Sequence, residues 1–408
     1  MKKYLASLFN RARSRLKRKR KNSLVDRNRH LLDNPPISAA EKERLLNENF
    51  EKFKQDVTSG SPVWESMPSN VELAQHNRCN LHCIMCHPDK HPPLEEMSDE
   101  EFSSAAAEIF PTTTILTPHS GGEPLLGNFE FTYDLCEKYK TDIELTTNAT
   151  LLTPDVYRKI SSRLSCLFIS MDSHIKEIYE RIRVGAKYEK VVENIRSTLC
   201  AAAGDPVESI LITILNTYTV GGLPDYIRFA KDLGATSVGI LGLHINFDEL
   251  KEIDVSCTMP ANEVNAKLDE AIQVGRETGL NIYIWSTPPR LLFSNDRACR
   301  LFNREEAYIL EHCPSFCFLA ATQSKILSSG EVYPCCLAPK ELLMGNLKHE
   351  PLRKILNNDK FRQLRREMFT GKYNSVCASC YYSNQSSNFT PEITARIKEH
   401  IEKNRRRK

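Results

Sequence analysis

Residues 71–88 read "VELAQHNRCNLHCIMCHP". "VELAQ" reads as a short, apolar-rich strand, and the loop after it carries Cys79, Cys83 and Cys86 spaced C-x3-C-x2-C. A structural zinc site wants four closed ligands, usually as two pairs, whereas this loop offers three. Three thiols at the end of a strand fit a centre that keeps one position open.

The same pattern of strand followed by a special loop repeats along the chain. Strands are expected at "TILTPHS" (114–120), "DIELTTN" (142–148), "CLFISMD" (166–172), "SILITIL" (209–215) and "SVGILGL" (237–243), with "NIYIW" (281–285) a further candidate. Helical periodicity fills the intervals at 98–110, 128–140, 153–162, 174–203 and 223–233. Six βα units predict an α/β fold, a partial TIM barrel (β/α)6, in which functional groups gather at the C-terminal ends of the strands. A doubly wound open sheet is the alternative. "GGEP" (121–124), "NAT" (148–150) and "SMDS" (170–173) stand at those ends beside the cysteine loop.

From residue 299 the texture changes. Cysteines return, and "KILSSGEVYPCC" (325–336) reads as a hairpin turning at Ser329 and Gly330. The expected division is a basic, partly helical extension over 1–68, the barrel over 69–298, a small cysteine-rich domain over 299–388 and a basic helix or tail over 389–408. No internal repeat or low-complexity tract interrupts it.

Composition supports a folded chain. Of 408 residues, 41% are hydrophobic and 26% charged, which is ordinary for a globular protein. Ten Lys and Arg fall in residues 1–21 without an acid, so a formal net charge of +3 for the whole becomes −7 for the rest. Leu5, Leu8, Phe9, Ala12 and Leu16 recur at helical spacing in that stretch, so a basic amphipathic helix on an anionic membrane or acidic partner stands beside a solvated terminus as its two readings. No secretory signal and no apolar run near the roughly 20 residues of a membrane span is expected, which predicts a cytoplasmic protein, peripheral to the membrane at most. No nucleic-acid-reading module is recognised. Fourteen cysteines in such a setting point to metal or redox chemistry and away from disulfides.

Three thiolates match three irons of a [4Fe–4S] cube and leave the fourth iron free, unlike the four-cysteine clusters of ferredoxins. With "GGEP", "TTNAT" and "SMDS...YERIRVGAKYEKVVENI" following in order, the chain resembles the radical S-adenosylmethionine (SAM) superfamily over most of residues 70–385. That resemblance implies that Cys79, Cys83 and Cys86 hold a SAM-binding [4Fe–4S] cluster. It also implies that Gly121, Gly122 and Glu123 meet the amino group of SAM. Asn148 stands at the matching third strand end, Ser170 and Arg183 are candidates for the SAM carboxylate or ribose, and Asp172 shapes the loop. Met85 departs from the family's usual aromatic residue near the adenine and can still pack on a purine.

Cys317, Cys335, Cys377 and Cys380 resemble the ligand set of a SPASM or twitch extension, implying one auxiliary [4Fe–4S] cluster. Zinc is the competing occupant of such a pattern. Cys313 or Cys336 can replace a neighbour, while Cys136, Cys166, Cys200, Cys257 and Cys299 read as small buried hydrophobes. The chemistry implied is reductive cleavage of SAM to a 5′-deoxyadenosyl radical and hydrogen abstraction from a substrate, in a net oxidation assisted by the auxiliary cluster. A low-potential donor such as a flavodoxin or ferredoxin is the implied partner. A peptide or protein maturase and a non-catalytic zinc scaffold are the competing readings. His119, His244, Asn246 and Asp248 lie at or after strand ends as candidate bases, none singled out, so the catalytic residue is unassigned.

Overall fold

The computed structural model describes residues 35–86, 93–245, 247–285, 304–313, 316–378 and 380. The amphipathic stretch 3–21, the tail 389–408, Asn246 and Cys299 lie outside them.

Seven parallel strands run side by side in chain order: β1 (Asn70–Leu73), β2 (Ile115–Thr117), β3 (Asp142–Thr147), β4 (Leu164–Ser170), β5 (Glu208–Leu215), β6 (Ser237–Gly242) and β7 (Asn281–Trp285). A doubly wound sheet would reverse direction of growth at a switch point; this one never does, which is barrel-type winding. "NIYIW" is therefore a seventh strand, paired with β6 from Ser237↔Asn281 to Leu241↔Trp285.

The helices between them bury one stripe each. In Leu223–Leu233 the buried positions are Leu223, Tyr226, Ile227, Ala230 and Leu233, spaced i, i+3, i+4, i+7, i+10, and Gly234 at φ +92° ends the helix. Each Leu or Ile so buried stabilises the fold by about 1.5–3 kcal/mol. Asp99–Ile109 starts on a capping box between Ser98 and Glu101.

Alternation along the strands makes two cores. Leu167, Ile169, Leu211, Val238, Ile240, Ile282 and Ile284 join the large cluster that includes the helices. Their neighbours of opposite parity, Cys166, Phe168, Ile210, Ile212 and Tyr283, pack with each other as a separate inner cluster. At its edge Glu208 Oε1 accepts from Tyr283 Oη at 2.7 Å and from Ser237 Oγ at 2.5 Å.

The expected hairpin forms from β8 (Gln323–Ile326) and β9 (Glu331–Tyr333), joined antiparallel, with Gly330 at φ +84°. β10 (Gly345–Asn346) adds to β9, and β8 pairs in parallel with β1 from Asn70↔Gln323 to Leu73↔Ile326. The cysteine-rich segment thus extends the barrel sheet on its β1 side.

Several expectations are corrected. The helical stretch 174–203 is two helices, Lys176–Ile182 and Tyr188–Ala201, broken where Gly185 takes φ +95°. Cys200 and Cys257 are exposed, whereas Cys136 and Cys166 are buried. Cys200 follows the buried stripe Val191, Asn194, Ile195, Thr198, Leu199 and falls off its face. The long helix Ala261–Thr278 had no forecast; Ala39–Ser59 falls in the stretch 1–68 expected to be partly helical, and its Phe53 and Val57 enter the main core with Trp64 and Met67. Lys42 of that helix is buried and donates to Phe110 O and Thr113 O, both at 2.6 Å, and to Thr141 Oγ1 at 3.1 Å. Among the described residues no helix is long and apolar enough to cross a membrane.

Candidate active site

The loop holding Cys79, Cys83 and Cys86 is fastened to the break between the two helices after β4. His82 N–H donates to Val184 O at 2.9 Å and Ile84 N–H to Ile182 O at 3.0 Å, which brackets Arg183. The Arg183 side chain therefore turns inward: Nε donates to Asp172 Oδ2 at 2.5 Å and Nη1 lies 3.7 Å from Cys83 Sγ. Asp172 Oδ1 accepts from Ile214 N–H at 2.9 Å, so one carboxylate ties β4, β5 and the guanidinium together. Ser170 ends β4 on the inner-facing parity of Cys166 and Phe168.

The second loop is fixed against the first. Glu123 N–H donates to Arg78 O at 2.7 Å, and a Cβ on Gly122 would stand 2.9 Å from Arg78 O and 3.0 Å from Asn77 C. The close approach demanded at Gly122 is thus to the cysteine loop's own backbone, while Gly121 takes φ +86° in open space. His76 links the same loops. Its Nδ1 accepts from Arg78 N–H at 3.1 Å, and its ring fills the place a Cβ on Gly127 would take.

Glu123 is 2% exposed. Its Oε1 accepts from Thr147 Oγ1 at 2.7 Å and Leu125 N–H at 3.3 Å, and Oε2 accepts from Asn148 N–H at 2.7 Å. Burial outweighs these donors and keeps the carboxyl pKa above its ordinary value. A carboxylate has about four lone-pair sites, so roughly one is left for a ligand amine. Asn148 donates from Nδ2 to Asn80 Oδ1 at 2.9 Å and sits 3.9 Å from Cys79 Sγ. The three strand-end loops converge on the three cysteines.

Burial pushes all three thiols up, Cys83 to about 11, and Arg183 is the cation that pulls each one back. Cys79 and Cys86 both oppose the ionisation of Cys83, and three thiolates facing one guanidinium need further positive charge among them. Iron supplies it, so the donor set fits the cluster.

Cys317, Cys335, Cys377 and Cys380 also come together. The Cys317 thiol is pushed to about 12, chiefly by burial, with Cys335, Cys380 and Cys377 adding in the same direction. Tyr373 Oη accepts from Cys317 N–H at 3.0 Å, and Asn374 Oδ1 from Cys377 N–H at 3.0 Å. The upward shift of Cys313 has burial as its cause. Among the described residues no three His, Cys, Asp or Glu side chains are set to hold a single metal ion.

Of the candidate bases, His244 and Asp248 are exposed, the latter paired with Lys251 at 2.6 Å. His119 is half-buried, its imidazole lowered to about 4 by burial, and Nδ1 has no hydrogen-bond partner among the described residues. Sequence reasoning missed Thr147 and Asn80, whose partners Glu123 and Asn148 are distant in the chain, and His76, whose ring packs on Gly127. It also missed Glu72, half-buried on β1, whose carboxyl burial raises to about 7 against the pull of Ser120 and Lys325. A polar residue between the buried Val71 and Leu73 was its signal.

A partial barrel with a three-cysteine loop at its mouth, and a four-cysteine set continuing its sheet, fits the class of iron–sulfur proteins. Comparison with known proteins agrees. Residues 75–230 match the radical SAM superfamily and residues 317–381 match the SPASM iron–sulfur cluster-binding domain. The chain belongs to the radical SAM superfamily and carries a SPASM domain, so its cofactors are SAM, a SAM-binding [4Fe–4S] cluster and auxiliary iron–sulfur. It is 25% identical over 328 residues to the AdoMet-dependent heme synthase of Methanosarcina barkeri, covering 74% of this chain and 88% of that protein. It is 28% identical over 212 residues to a probable GTP 3′,8-cyclase of Methanocaldococcus jannaschii, covering 50% of this chain and 68% of that one. In fold it is similar to Streptococcus suis SuiB bound to SAM, with a TM-score of 0.56, 14% identity and coverage of 89% and 81%. Similarity to AdoMet-bound anSMEcpe has a TM-score of 0.54 at 16% identity, covering 81% and 96%.

Proposed function

We propose that this radical SAM protein abstracts a hydrogen atom from a small-molecule substrate in a net oxidation, with the product electron leaving through the auxiliary centre. The observation that carries the reading is the closed four-cysteine set, joined through β8 to the strand that precedes the open one. When bound and reduced, the SAM cluster supplies one electron for cleavage of SAM to methionine and a 5′-deoxyadenosyl radical.

The chain's own residues bind, orient and exclude water. Cys79, Cys83 and Cys86 hold the open cluster. Gly121, Gly122 and Glu123 offer carbonyls and the last carboxylate lone pair to the SAM amine, and Asn148, Ser170 and Arg183 line the rest of its site. Cys317, Cys335, Cys377 and Cys380 hold the auxiliary cluster. The apolar cluster of Phe168, Ile210 and Ile212 fills the inner face of the strands that carry these ends.

A small-molecule substrate is supported by the relatives, named for GTP and for heme. The peptide-bound SuiB and anSMEcpe structures speak to fold alone at 15% and 17% identity. A low-potential flavodoxin or ferredoxin is the expected donor, and residues 1–21 are the proposed membrane contact. Unchanged liposome sedimentation after their deletion would remove that contact.

Anaerobic turnover tests the reading. Reduced holoprotein should convert SAM to 5′-deoxyadenosine, with deuterium moving into it from a deuterated substrate. A colourless zinc protein, or no 5′-deoxyadenosine under reduction, would overturn it.

A further inference from the structure

Lys325 is the third residue of β8, opposite Glu72 on β1 and Tyr333 on β9. Its Nζ donates to Cys336 O at 3.1 Å and to Ala338 O at 2.9 Å, and lies 4.9 Å from the centroid of the Tyr333 ring. A lysine normally keeps several rotamers open; two carbonyls and an aromatic face on three sides hold this one still. Its hydrogen-bond partners are the two carbonyls and no carboxylate; the Glu72 carboxyl opposite it on β1 acts on it through charge without an ion-pair contact. The loop it grips begins at Cys335, and the ammonium acts on that thiol in the direction that favours negative charge.

We infer that Lys325 sets the reduction potential of the auxiliary centre, its clamped ammonium favouring the more negative, one-electron-reduced form of the cluster held by Cys317, Cys335, Cys377 and Cys380. The inference rests on the auxiliary iron–sulfur reading above. Reduction adds one electron, given up by the product in the proposed reaction and by the chemical reductant in a titration, and moves no proton or bond. A fixed cation beside the cluster stabilises the product of that step more than its reactant, because the product carries one more negative charge. At the barrel mouth the cation acting on the three cysteines is a different residue, Arg183, which pulls the Cys83 thiol down against its burial.

The test compares wild type with Lys325→Arg, Lys325→Gln and Lys325→Met as anaerobically reconstituted full-length proteins. Iron is counted, and both clusters are titrated by EPR against a potential scale. Gln keeps a donor for the carbonyls and loses the charge; Arg keeps both. The auxiliary midpoint should fall in Gln and Met and stay near wild type in Arg, with the SAM cluster unmoved in all three. A Gln variant with its auxiliary cluster bound and its midpoint unchanged would overturn the inference, as would loss of auxiliary iron from Arg and Gln alike, the mark of a purely mechanical clamp. A wild-type protein holding only about four irons would instead remove the auxiliary reading itself.

Discussion

Arg183 and Asp172 form a buried ion pair, Nε to Oδ2 at 2.5 Å, with side chains 12% and 0% exposed. Its other contact, 3.7 Å from Cys83 Sγ, makes the pair the link between the β4 strand end and the cysteine loop. Breaking a buried pair by removing one partner costs about 3–5 kcal/mol, because the other charge is left uncompensated. Asp172→Ala should lower thermal stability by that order and release iron from the three-cysteine site first. Differential scanning fluorimetry with iron analysis checks both.

Gly121 and Gly122 are adjacent and should respond differently. Gly122→Ala puts a methyl 2.9 Å from Arg78 O, and the atoms it meets are backbone, so the cysteine loop has to move. Loss of about half the bound iron is expected, with the auxiliary EPR signal kept. Gly121→Ala meets only the strain of a left-handed backbone, about 1–2 kcal/mol, and should retain both clusters.

Glu123→Gln replaces an acceptor that takes three hydrogen bonds with a group whose NH2 end must face a donor. The cost should be about 1–3 kcal/mol. SAM-induced change in the EPR spectrum of the reduced cluster should weaken beyond what the stability loss explains. Thr147→Val, which removes one donor to the same carboxylate, should give a smaller effect in the same direction.

His76 carries a pH dependence. Burial, with Arg78 assisting, lowers its imidazole from an ordinary 6.5 to about 4, so the folded state holds it neutral. A depressed pKa contributes stability that is full above about 6.5 and is lost as pH falls toward 4, because the unfolded chain takes up the proton first. The melting temperature should fall over that window, and His76→Gln should flatten the fall.

Lys42 tests whether the helix Ala39–Ser59 is part of the barrel. Lys42→Met leaves Thr113 O without its donor and removes one bond each from Phe110 O and Thr141 Oγ1, which still bond each other, and a loss of about 1–3 kcal/mol in urea unfolding is expected. An unchanged unfolding midpoint would detach this helix from the barrel core.

Much of the fold was legible because βα alternation is a local, periodic signal. Six strands and the seventh candidate stand where apolar runs and turn residues put them, within a few residues at their ends. The core role of the helix at Ala39–Ser59 was not legible, since its contribution is a few residues, Phe53 and Val57 among them, in a polar stretch. The break at Arg183–Gly185 was hidden as well. The helical period continues across it, and only contact with residues 82–84 shows why the chain turns there.

The chain by itself determined the donor chemistry: three thiols spaced C-x3-C-x2-C, a glycine pair before Glu123, and four later cysteines, all set by neighbours along the sequence. Tertiary structure alone decided how those pieces act. It turned Arg183 toward Cys83, used most of Glu123 to bind the third strand's loop, assigned Gly122 to the cysteine backbone and placed β8 against β1 with Lys325 over the auxiliary loop. Each of these joins residues far apart in the chain, and such contacts follow from how the packed strands and loops meet, which no local spacing encodes.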